Sequence, residues 1–221
     1  MLITVSGVDG CGKSTQIAML DAALRRRGGR GRVLWYRPGY SRELDSLRRV
    51  VRRAAPSALP KAGPSAERQR VFARPGVTVG WTAVAAMDML VQYGVKLRAA
   101  VHRDDYVICD RYFADAMLDL EARLPDHIGV LQAARRVLEP LCPTPDVSLL
   151  ITLSADEMWR RVETKDEPFP DPPEVRVARH RRYCAMASSG DFAVINGEGS
   201  PQAVHDRMLD AVDLAAGKAA A

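Results

Sequence analysis

The fold is decided by the stretch Gly7-Val8-Asp9-Gly10-Cys11-Gly12-Lys13-Ser14-Thr15. An apolar run, residues 2–5, precedes it, and apolar side chains at helical spacing follow it at Ile17, Leu20 and Leu24. A strand, a glycine-rich turn and a helix are the context in which the motif G-x-x-x-x-G-K-[ST] binds phosphates. The glycines let successive backbone N–H groups point at phosphate oxygens, and the helix N-terminus adds its positive end. The sequence therefore predicts a bound nucleoside triphosphate.

Two polar side chains of this stretch, which we call the phosphate loop (residues 7–15), have predicted contacts with the nucleotide. We expect Lys13 to reach the β- and γ-phosphates and Ser14 to offer its hydroxyl to Mg²⁺. The loop residues predicted to bind the nucleotide are Gly10, Cys11, Gly12, Lys13, Ser14 and Thr15.

The composition is typical of one α/β domain. A chain of 221 residues, of which 47% are hydrophobic, can bury a core, and we expect a single domain over residues 1–221. The net charge of +5 includes arginine clusters such as residues 25–27 and 179–182. Because most such clusters are solvated helix faces, and no recognition motif accompanies them, we expect no nucleic-acid partner.

The cysteines and the N-terminus indicate the cellular setting. The four cysteines lie far apart at Cys11, Cys109, Cys142 and Cys184, so neither a zinc site nor a disulfide framework is predicted. No basic leader precedes the first apolar run, and no run of about 18 apolar residues occurs. We therefore expect a cytoplasmic protein with no membrane partner.

Short apolar strands alternate with helical segments along the chain. Strands are predicted at residues 2–5, 33–36, 106–109, 147–153 and 191–195. This alternation predicts a parallel sheet covered by helices on both faces. Residues 55–80 are rich in proline, alanine, glycine and arginine, and we expect a mobile surface excursion there.

Two local patterns predict side-chain contacts. Asp88 lies among apolar residues of a long helix predicted over residues 81–101, so this carboxylate needs a partner or borders a cleft. Ser154 precedes a helix predicted over residues 155–163, with Glu157 three positions later, which is the spacing of a capping box.

Asp110 and Arg111 directly follow the third predicted strand. The carboxyl ends of parallel strands are where such sheets bind ligands. A carboxylate there can hold the magnesium shell, and a guanidinium can bind a phosphate through two parallel hydrogen bonds. The pair is therefore predicted to belong to the same site as the phosphate loop.

The phosphate loop together with Val107-Ile108-Cys109-Asp110-Arg111-Tyr112 resembles the thymidylate kinases, which are P-loop nucleoside monophosphate kinases. The resemblance extends along nearly the whole chain, through residues 145–147 and 194–197. It implies a three-layer αβα P-loop kinase fold with a five-stranded parallel sheet and a short lid near residues 161–176. It also implies ATP as donor and transfer of the γ-phosphoryl group to a nucleotide or nucleoside.

The resemblance also implies roles for individual residues. The residues implied to be catalytic are Lys13, Asp9, Asp110, Arg111, Arg161 and Lys165. Ser14 and Asp110 are implied to bind the metal. Asn196 and Gly197 are implied to lie near the donor nucleotide. Acceptor contacts are implied for Asp9, Arg37, Asp88, Arg111 and Tyr112, and Asp115 is a further candidate for acceptor binding. A homodimer is implied as well.

Several positions depart from the family pattern. Arg37 is followed directly by Pro38, without the intervening glutamate of the family motif. The position of a loop arginine in some members is Gly10 here, which places the catalytic cation in the lid. Arg161 and Lys165 are the first candidates for that cation, and Arg176 or Arg179 can share the role.

The positions that bind the acceptor base in the family differ most from the family pattern. The family's Asp-Arg pair, whose arginine touches thymine, is Asp88-Met89 here, and a family serine is replaced by Asp115. Asp115 and Asp119 are four positions apart and therefore share a helical face. Either they are ordinary surface acids, or they bind sugar hydroxyls or a basic group.

Three functions follow from these patterns. The first is transfer of the γ-phosphate of ATP to a nucleoside 5′-monophosphate such as dTMP or a related pyrimidine nucleotide. The second is phosphorylation of a free hydroxyl on a nucleoside or modified nucleoside in a specialised pathway. The third is a nucleotide-dependent switch that acts on a protein partner, for which the short lid and Asp110-Arg111 are not needed.

Overall fold

The computed structural model describes residues 1–36, 75–123, 125–164 and 172–220. Within these ranges the strands are β1 (Leu2–Gly7), β2 (Gly31–Trp35), β3 (Tyr106–Asp110), β4 (Val147–Thr152) and β5 (Ala193–Asn196). The α-helices are α1 (Lys13–Arg26), α2 (Pro75–Met89), α3 (Arg98–Arg103), α4 (Phe113–Arg123), α5 (Ile128–Leu138), α6 (Ala155–Glu163), α7 (Pro173–Ala187) and α8 (Pro201–Ala220). A π-helical segment, Leu90–Leu97, joins α2 to α3, and 3₁₀ turns lie at Pro125–His127 and Glu139–Leu141.

All five strands pair in parallel, in the order β2-β3-β1-β4-β5. The predicted five-stranded parallel sheet of an α/β fold is therefore confirmed. The chain leaves the carboxyl end of β1 toward β2 and that of β4 toward β5, in opposite directions. In parallel sheets a crevice for ligands opens at such a point. The phosphate loop begins there, because Gly7 ends β1 beside Ile151 of β4.

This sheet belongs to the first of two compact units, which comprises Met1–Trp35, Ala100–Tyr112 and Thr144–Ala221. The three central strands are almost wholly buried. The apolar face predicted for the helix after the phosphate loop is confirmed, since Ile17, Leu20 and Leu24 of α1 are all buried. Helix α1 also contacts α8, and α7 and α8 pack against β4.

The second unit comprises Tyr36–Ala99 and Phe113–Pro143. Buried Gln92 donates a hydrogen bond from Nε2 to Asp88 Oδ1 at 3.4 Å, which confirms that Asp88 has a partner. Asp115 is buried at 2% exposure, so it is not an ordinary surface acid, whereas Asp119 is half-buried. The aromatic ring of Tyr93 is also fully buried in this unit.

Several predicted elements differ from the structure at their ends. The helix predicted over residues 81–101 extends over residues 75–103 and changes to π geometry in its middle. Residues 75–80 belong to that helix, although they are the end of the stretch expected to form an excursion. The rest of that stretch, residues 55–74, lies outside the described residues. Among the helices that are described, none is both long and apolar enough to span a membrane.

The edge strand β2 depends on a close approach between Gly31 and Tyr106 of β3. A Cβ atom at Gly31 would lie against the Tyr106 carbonyl oxygen and 2.5 Å from its ring. We therefore expect Gly31→Ala to lower the free energy of unfolding by about 1–3 kcal/mol, and Tm by several degrees, because backbone and ring must both shift.

Gly217→Ala in α8 is the matched control, because nothing lies within 4 Å of a Cβ there. A helical glycine replaced by alanine should leave stability unchanged or raise it by up to about 1 kcal/mol. Thermal unfolding followed by circular dichroism compares the two variants. Equal melting temperatures would show that β2 tolerates the extra methyl group.

Candidate active site

The backbone of the phosphate loop is held in shape by three glycines. A Cβ at Gly7 would lie 2.7 Å from Cys11 Sγ and 2.8 Å from the Ile151 carbonyl oxygen, so only glycine fits. Gly10 and Gly12 adopt positive φ values of 76° and 80°, which side chains disfavour. Helix α1 begins at Lys13, immediately after the second of these turns. The predicted strand, turn and helix are thereby confirmed.

Lys13 pairs with the carboxylate that follows from β3. Its Nζ lies 3.3 Å from Asp110 Oδ1, and both side chains are largely buried. Strand register explains the approach, because Asp110 pairs with Val5 of β1, two residues before the loop. The structure therefore brings together two residues that lie far apart in the sequence and that were predicted to share one site.

Asp9 receives two guanidinium groups from different parts of the first unit. Arg179 of α7 donates a hydrogen bond from Nη1 to Asp9 Oδ2 at 2.7 Å. Arg111 Nη2 lies 3.9 Å from the other oxygen, Oδ1. All three side chains are between 19% and 23% exposed, so solvent screens these contacts only in part. Two guanidinium groups thus share one carboxylate beside the loop.

The backbone of Arg111 is strained. Its φ of 69° is the only positive value at a non-glycine residue among those described. A hydrogen bond to β1 stabilises this conformation, since the Arg111 N–H donates to the Val5 carbonyl oxygen at 3.0 Å. Strained residues occur mostly where function requires a particular side-chain direction, and here that direction is toward Asp9.

Arg161 of α6 is fixed by two contacts. Its Nε donates to Glu157 Oε1 at 2.5 Å and its Nη2 to the Gly197 carbonyl oxygen at 3.1 Å. Arg160 also donates to the Glu157 carboxylate, at 2.7 Å. These hydrogen bonds lower the pKa of Glu157 to about 2. The Arg161 stem borders the loop, because a Cβ at Gly10 would lie 3.3 Å from Arg161 Cβ.

The capping box predicted at α6 forms only in part. The Glu157 N–H donates to Ser154 Oγ at 3.4 Å, as predicted. The Glu157 side chain does not return to Ser154, whose N–H donates instead to Glu198 Oε1 at 3.2 Å. The spacing of three residues from Ser154 to Glu157 therefore predicted the cap correctly. The spacing of four residues from Glu157 to Arg161 is typical of a helical ion pair and could have indicated this one.

An open cavity of about 570 Å³ lies over the loop. Its walls are the loop itself with Arg111, Arg161 and Thr164. The volume is in the range of small-molecule sites. Lys13 and the loop N–H groups are donors suited to phosphate oxygens, and the guanidinium groups add positive charge.

A divalent cation fits the residues at one side of this cavity. Asp110 Oδ1 is inaccessible to solvent and accepts no hydrogen bond of normal geometry from the described residues. The Lys13 ammonium lies 3.3 Å from this oxygen. A carboxylate oxygen and the exposed Ser14 hydroxyl are hard ligands of the kind that Mg²⁺ takes alongside nucleotide phosphates.

The thiol of Cys11 lies beneath the loop. It is 3% exposed, and burial raises the pKa of Cys11, an effect that the neighbouring Lys13 opposes. Burial likewise raises the pKa of Cys109 to about 12. None of the four cysteines forms a disulfide. Cys11 therefore packs under the loop as a neutral side chain.

The structure places the predicted site residues in four groups. Asp9, Lys13, Arg111 and Arg161, with the remaining loop residues, lie at the cavity. Asn196 and Gly197 end β5 and begin the next turn, where Gly197 receives Arg161. Tyr112 is buried at the end of the first unit, and Asp88 and Asp115 lie in the second unit. Arg37 and Lys165 lie outside the described residues, as does part of the expected lid at residues 161–176.

The chain is similar to curated thymidylate kinases over nearly its whole length. A thymidylate kinase of Rhizorhabdus wittichii is 30% identical over 224 residues, covering 95% of each chain. A thymidylate kinase of Trichlorobacter lovleyi is 30% identical over 229 residues, covering 96% of each chain. One from Gluconobacter oxydans is 24% identical over 226 residues, covering 96% of this chain and 94% of its own. No protein-family model matches the chain.

The low pKa of Glu157 predicts a pH-dependent contribution to stability. The carboxyl titrates near 2 in the folded protein against 4.5 ordinarily, so its stabilising effect is complete above pH 4.5. It is lost as the pH falls through the folded value. We expect Glu157→Gln to be slightly less stable than the parent protein at pH 7, and the difference to shrink below pH 4.5.

Glu163→Gln on the same helix is the control, because Glu163 is exposed. Urea unfolding at pH 7, 5, 4 and 3 measures both variants against the parent. A difference for Glu157→Gln that stays constant across this range contradicts the assignment.

Proposed function

The chain belongs to the thymidylate kinase family and is a nucleotide kinase, and from this premise we propose that it transfers the γ-phosphoryl group of ATP to dTMP or a related pyrimidine nucleotide. The observation that carries the proposal is the contact of Asp9 with Arg111. Asp9 belongs to the loop that holds the donor, and Arg111, 3.9 Å from it, is the residue that the family resemblance assigns to the acceptor phosphate. Groups for both substrates thus border one cavity.

Donor binding uses the loop backbone and the first turn of α1. The loop N–H groups and Lys13 bind the β- and γ-phosphates. Ser14 and Asp110 hold Mg²⁺, which when bound neutralises charge on the phosphate oxygens. Asn196 and Gly197 lie next to the donor site, because Arg161, which lines the cavity, donates to the Gly197 carbonyl oxygen.

Acceptor binding begins at Arg111. Its guanidinium binds the acceptor phosphate in the forked geometry that arginine favours, and the strained backbone directs it. We further propose that Arg37, Tyr112 and Asp88 contribute to acceptor binding, as the family resemblance implies, and that Asp115, which replaces a family serine, contributes as well. A homodimer is proposed on the same ground.

The reaction requires little covalent chemistry from the protein. A phosphate monoester is mostly doubly ionised at pH 7, so its oxygen attacks the γ-phosphorus without a general base. Rate enhancement then comes from holding the two substrates in line and from positive charge around the phosphoryl group. Lys165 and Arg161 are candidate cations for this purpose.

An acceptor panel tests the substrate class. ADP formation from ATP is measured with dTMP, dUMP, dCMP and thymidine as acceptors. We expect turnover with a pyrimidine 5′-monophosphate, and loss of at least about 10²-fold in kcat for Lys13→Ala with every acceptor, because the γ-phosphate loses its ammonium partner.

The control for this panel is Lys96→Ala, a lysine of the second unit that lies outside the cavity lining. Turnover with thymidine but with no monophosphate would overturn the proposal in favour of a free-hydroxyl kinase. ATP consumption that needs no small acceptor would indicate a switch.

The role of Arg111 is tested by comparing its effect on KM for the acceptor with its effect on KM for ATP. We expect Arg111→Ala to raise KM for a monophosphate acceptor by at least about 10-fold, and to change KM for ATP much less, because the lost contact is a charge-assisted fork to the acceptor phosphate. Steady-state kinetics with each substrate varied in turn measures both constants. An equal rise in both would place Arg111 at the donor instead.

A further inference from the structure

We propose that Arg207 is a positioning residue for the donor nucleotide, and that it holds Arg161 and helix α6 over the phosphate loop through the turn that follows β5. We call this turn, residues 196–199, the β5 turn. The inference rests on the proposed function, because it assumes that ATP binds at the phosphate loop. Arg207 lies on α8 and is not one of the described residues that line the cavity. Its effect on the nucleotide therefore passes through other residues.

The guanidinium of Arg207 binds two main-chain carbonyl oxygens of the β5 turn. Its Nη1 donates a hydrogen bond to the Asn196 carbonyl oxygen. Its Nη1 and Nη2 both donate to the Glu198 carbonyl oxygen, each at 3.2 Å. Hydrogen bonds from a charged donor are stronger than those between neutral groups. Because the two carbonyls flank Gly197, Arg207 fixes the backbone of the turn on both sides of this residue.

The β5 turn also packs tightly against the end of β4. The Gly197 N–H donates to the Thr152 carbonyl oxygen at 2.8 Å. A Cβ atom at Gly197 would lie 2.7 Å from Ile151 Cγ2 and 2.9 Å from the Thr152 carbonyl oxygen, so only glycine fits. Within the turn, Asn196 Oδ1 accepts a hydrogen bond from the Glu198 N–H at 2.9 Å. The turn is therefore a fixed point between the sheet and α8.

Helix α6 is attached to this turn at two points. The Ser154 N–H, at the N-cap of α6, donates to Glu198 Oε1 at 3.2 Å, and hydrogen bonding to Ser154 lowers the pKa of Glu198. Arg161 Nη2 donates to the Gly197 carbonyl oxygen at 3.1 Å. The two attachment points are about two helical turns apart, so together they fix the direction of α6.

The direction of α6 matters because this helix forms one wall of the cavity. Arg161 and Thr164 line the cavity, and a Cβ atom at Gly10 of the phosphate loop would lie 3.3 Å from Arg161 Cβ. The other contact of Arg161, with Glu157 Oε1 at 2.5 Å, stays within α6 and cannot fix this helix to the sheet. The contact with Gly197 therefore sets where Arg161 stands beside the loop.

Steady-state kinetics with ATP and dTMP varied in turn tests the inference. We expect Arg207→Gln to raise KM for ATP by at least about 5-fold, because the wall of the donor cavity is displaced, and to change KM for dTMP by less than about 2-fold. Arg207→Lys keeps the charge without the fork, so its KM for ATP should lie between those of the parent and the glutamine variant. Arg181→Ala, which removes an exposed arginine from α7, is the matched control.

A double-mutant cycle tests the part played by Arg161. If Arg207 acts through Arg161, then Arg207→Gln should raise KM for ATP by less than about 2-fold in an Arg161→Ala background. Calorimetric titration with ADP supplies a readout that does not depend on turnover. The Kd of ADP should rise in Arg207→Gln by a factor similar to that of KM for ATP, and should be unchanged in Arg181→Ala.

The possible failures are distinguishable. A parent protein that transfers phosphate to no monophosphate overturns the proposed function. A parent protein that is active, with KM for ATP of Arg207→Gln within about 2-fold of its own, overturns the inference alone. An equal rise in both KM values, or the same rise in the Arg161→Ala background, overturns it as well. Melting temperatures identify an unfolded variant, and if Arg207→Gln is unfolded, an unchanged KM for ATP in Arg207→Lys overturns the inference.

Discussion

The site depends on the pairing of the Asp9 carboxylate with two guanidinium groups. An acidic side chain inside a phosphate loop repels the donor unless cations compensate for it. Here Arg179 lies 2.7 Å and Arg111 lies 3.9 Å from this carboxylate. The same contacts tie the loop to α7 and to the end of β3. One carboxylate therefore links the phosphate loop with guanidinium groups from two other elements.

Pairing of opposite charges recurs around the cavity. Lys13 lies 3.3 Å from Asp110, and Arg161 lies 2.5 Å from Glu157. The order of the parallel strands makes the first pair possible, since β1 and β3 are neighbours whose carboxyl ends meet. Each cation is therefore fixed before a ligand arrives, and fixed charges are the ones that stabilise a transition state at little cost.

Much of this arrangement could be predicted from the sequence, because its signals are local. Glycine spacing and the adjoining apolar periodicity predicted the loop and α1, and short apolar runs predicted the parallel sheet. Most individual contacts between distant segments left no such signal, although Lys13 and Asp110 were predicted to share one site. Arg179 and Asp9 are separated by 170 positions, so the sequence offered Arg179 only as one cation among several. Burial of Asp115 was also missed, because two acids four positions apart on a helix look like a solvated face.

The most direct test of the account is a crystal structure with a bisubstrate analogue in which thymidine and adenosine are joined by five phosphates. We expect the adenosine-side phosphates to occupy the phosphate loop and Arg111 to bind the phosphate next to thymidine. Adenosine-side phosphates bound away from the loop, or a thymidine-side phosphate bound away from Arg111, would contradict the account.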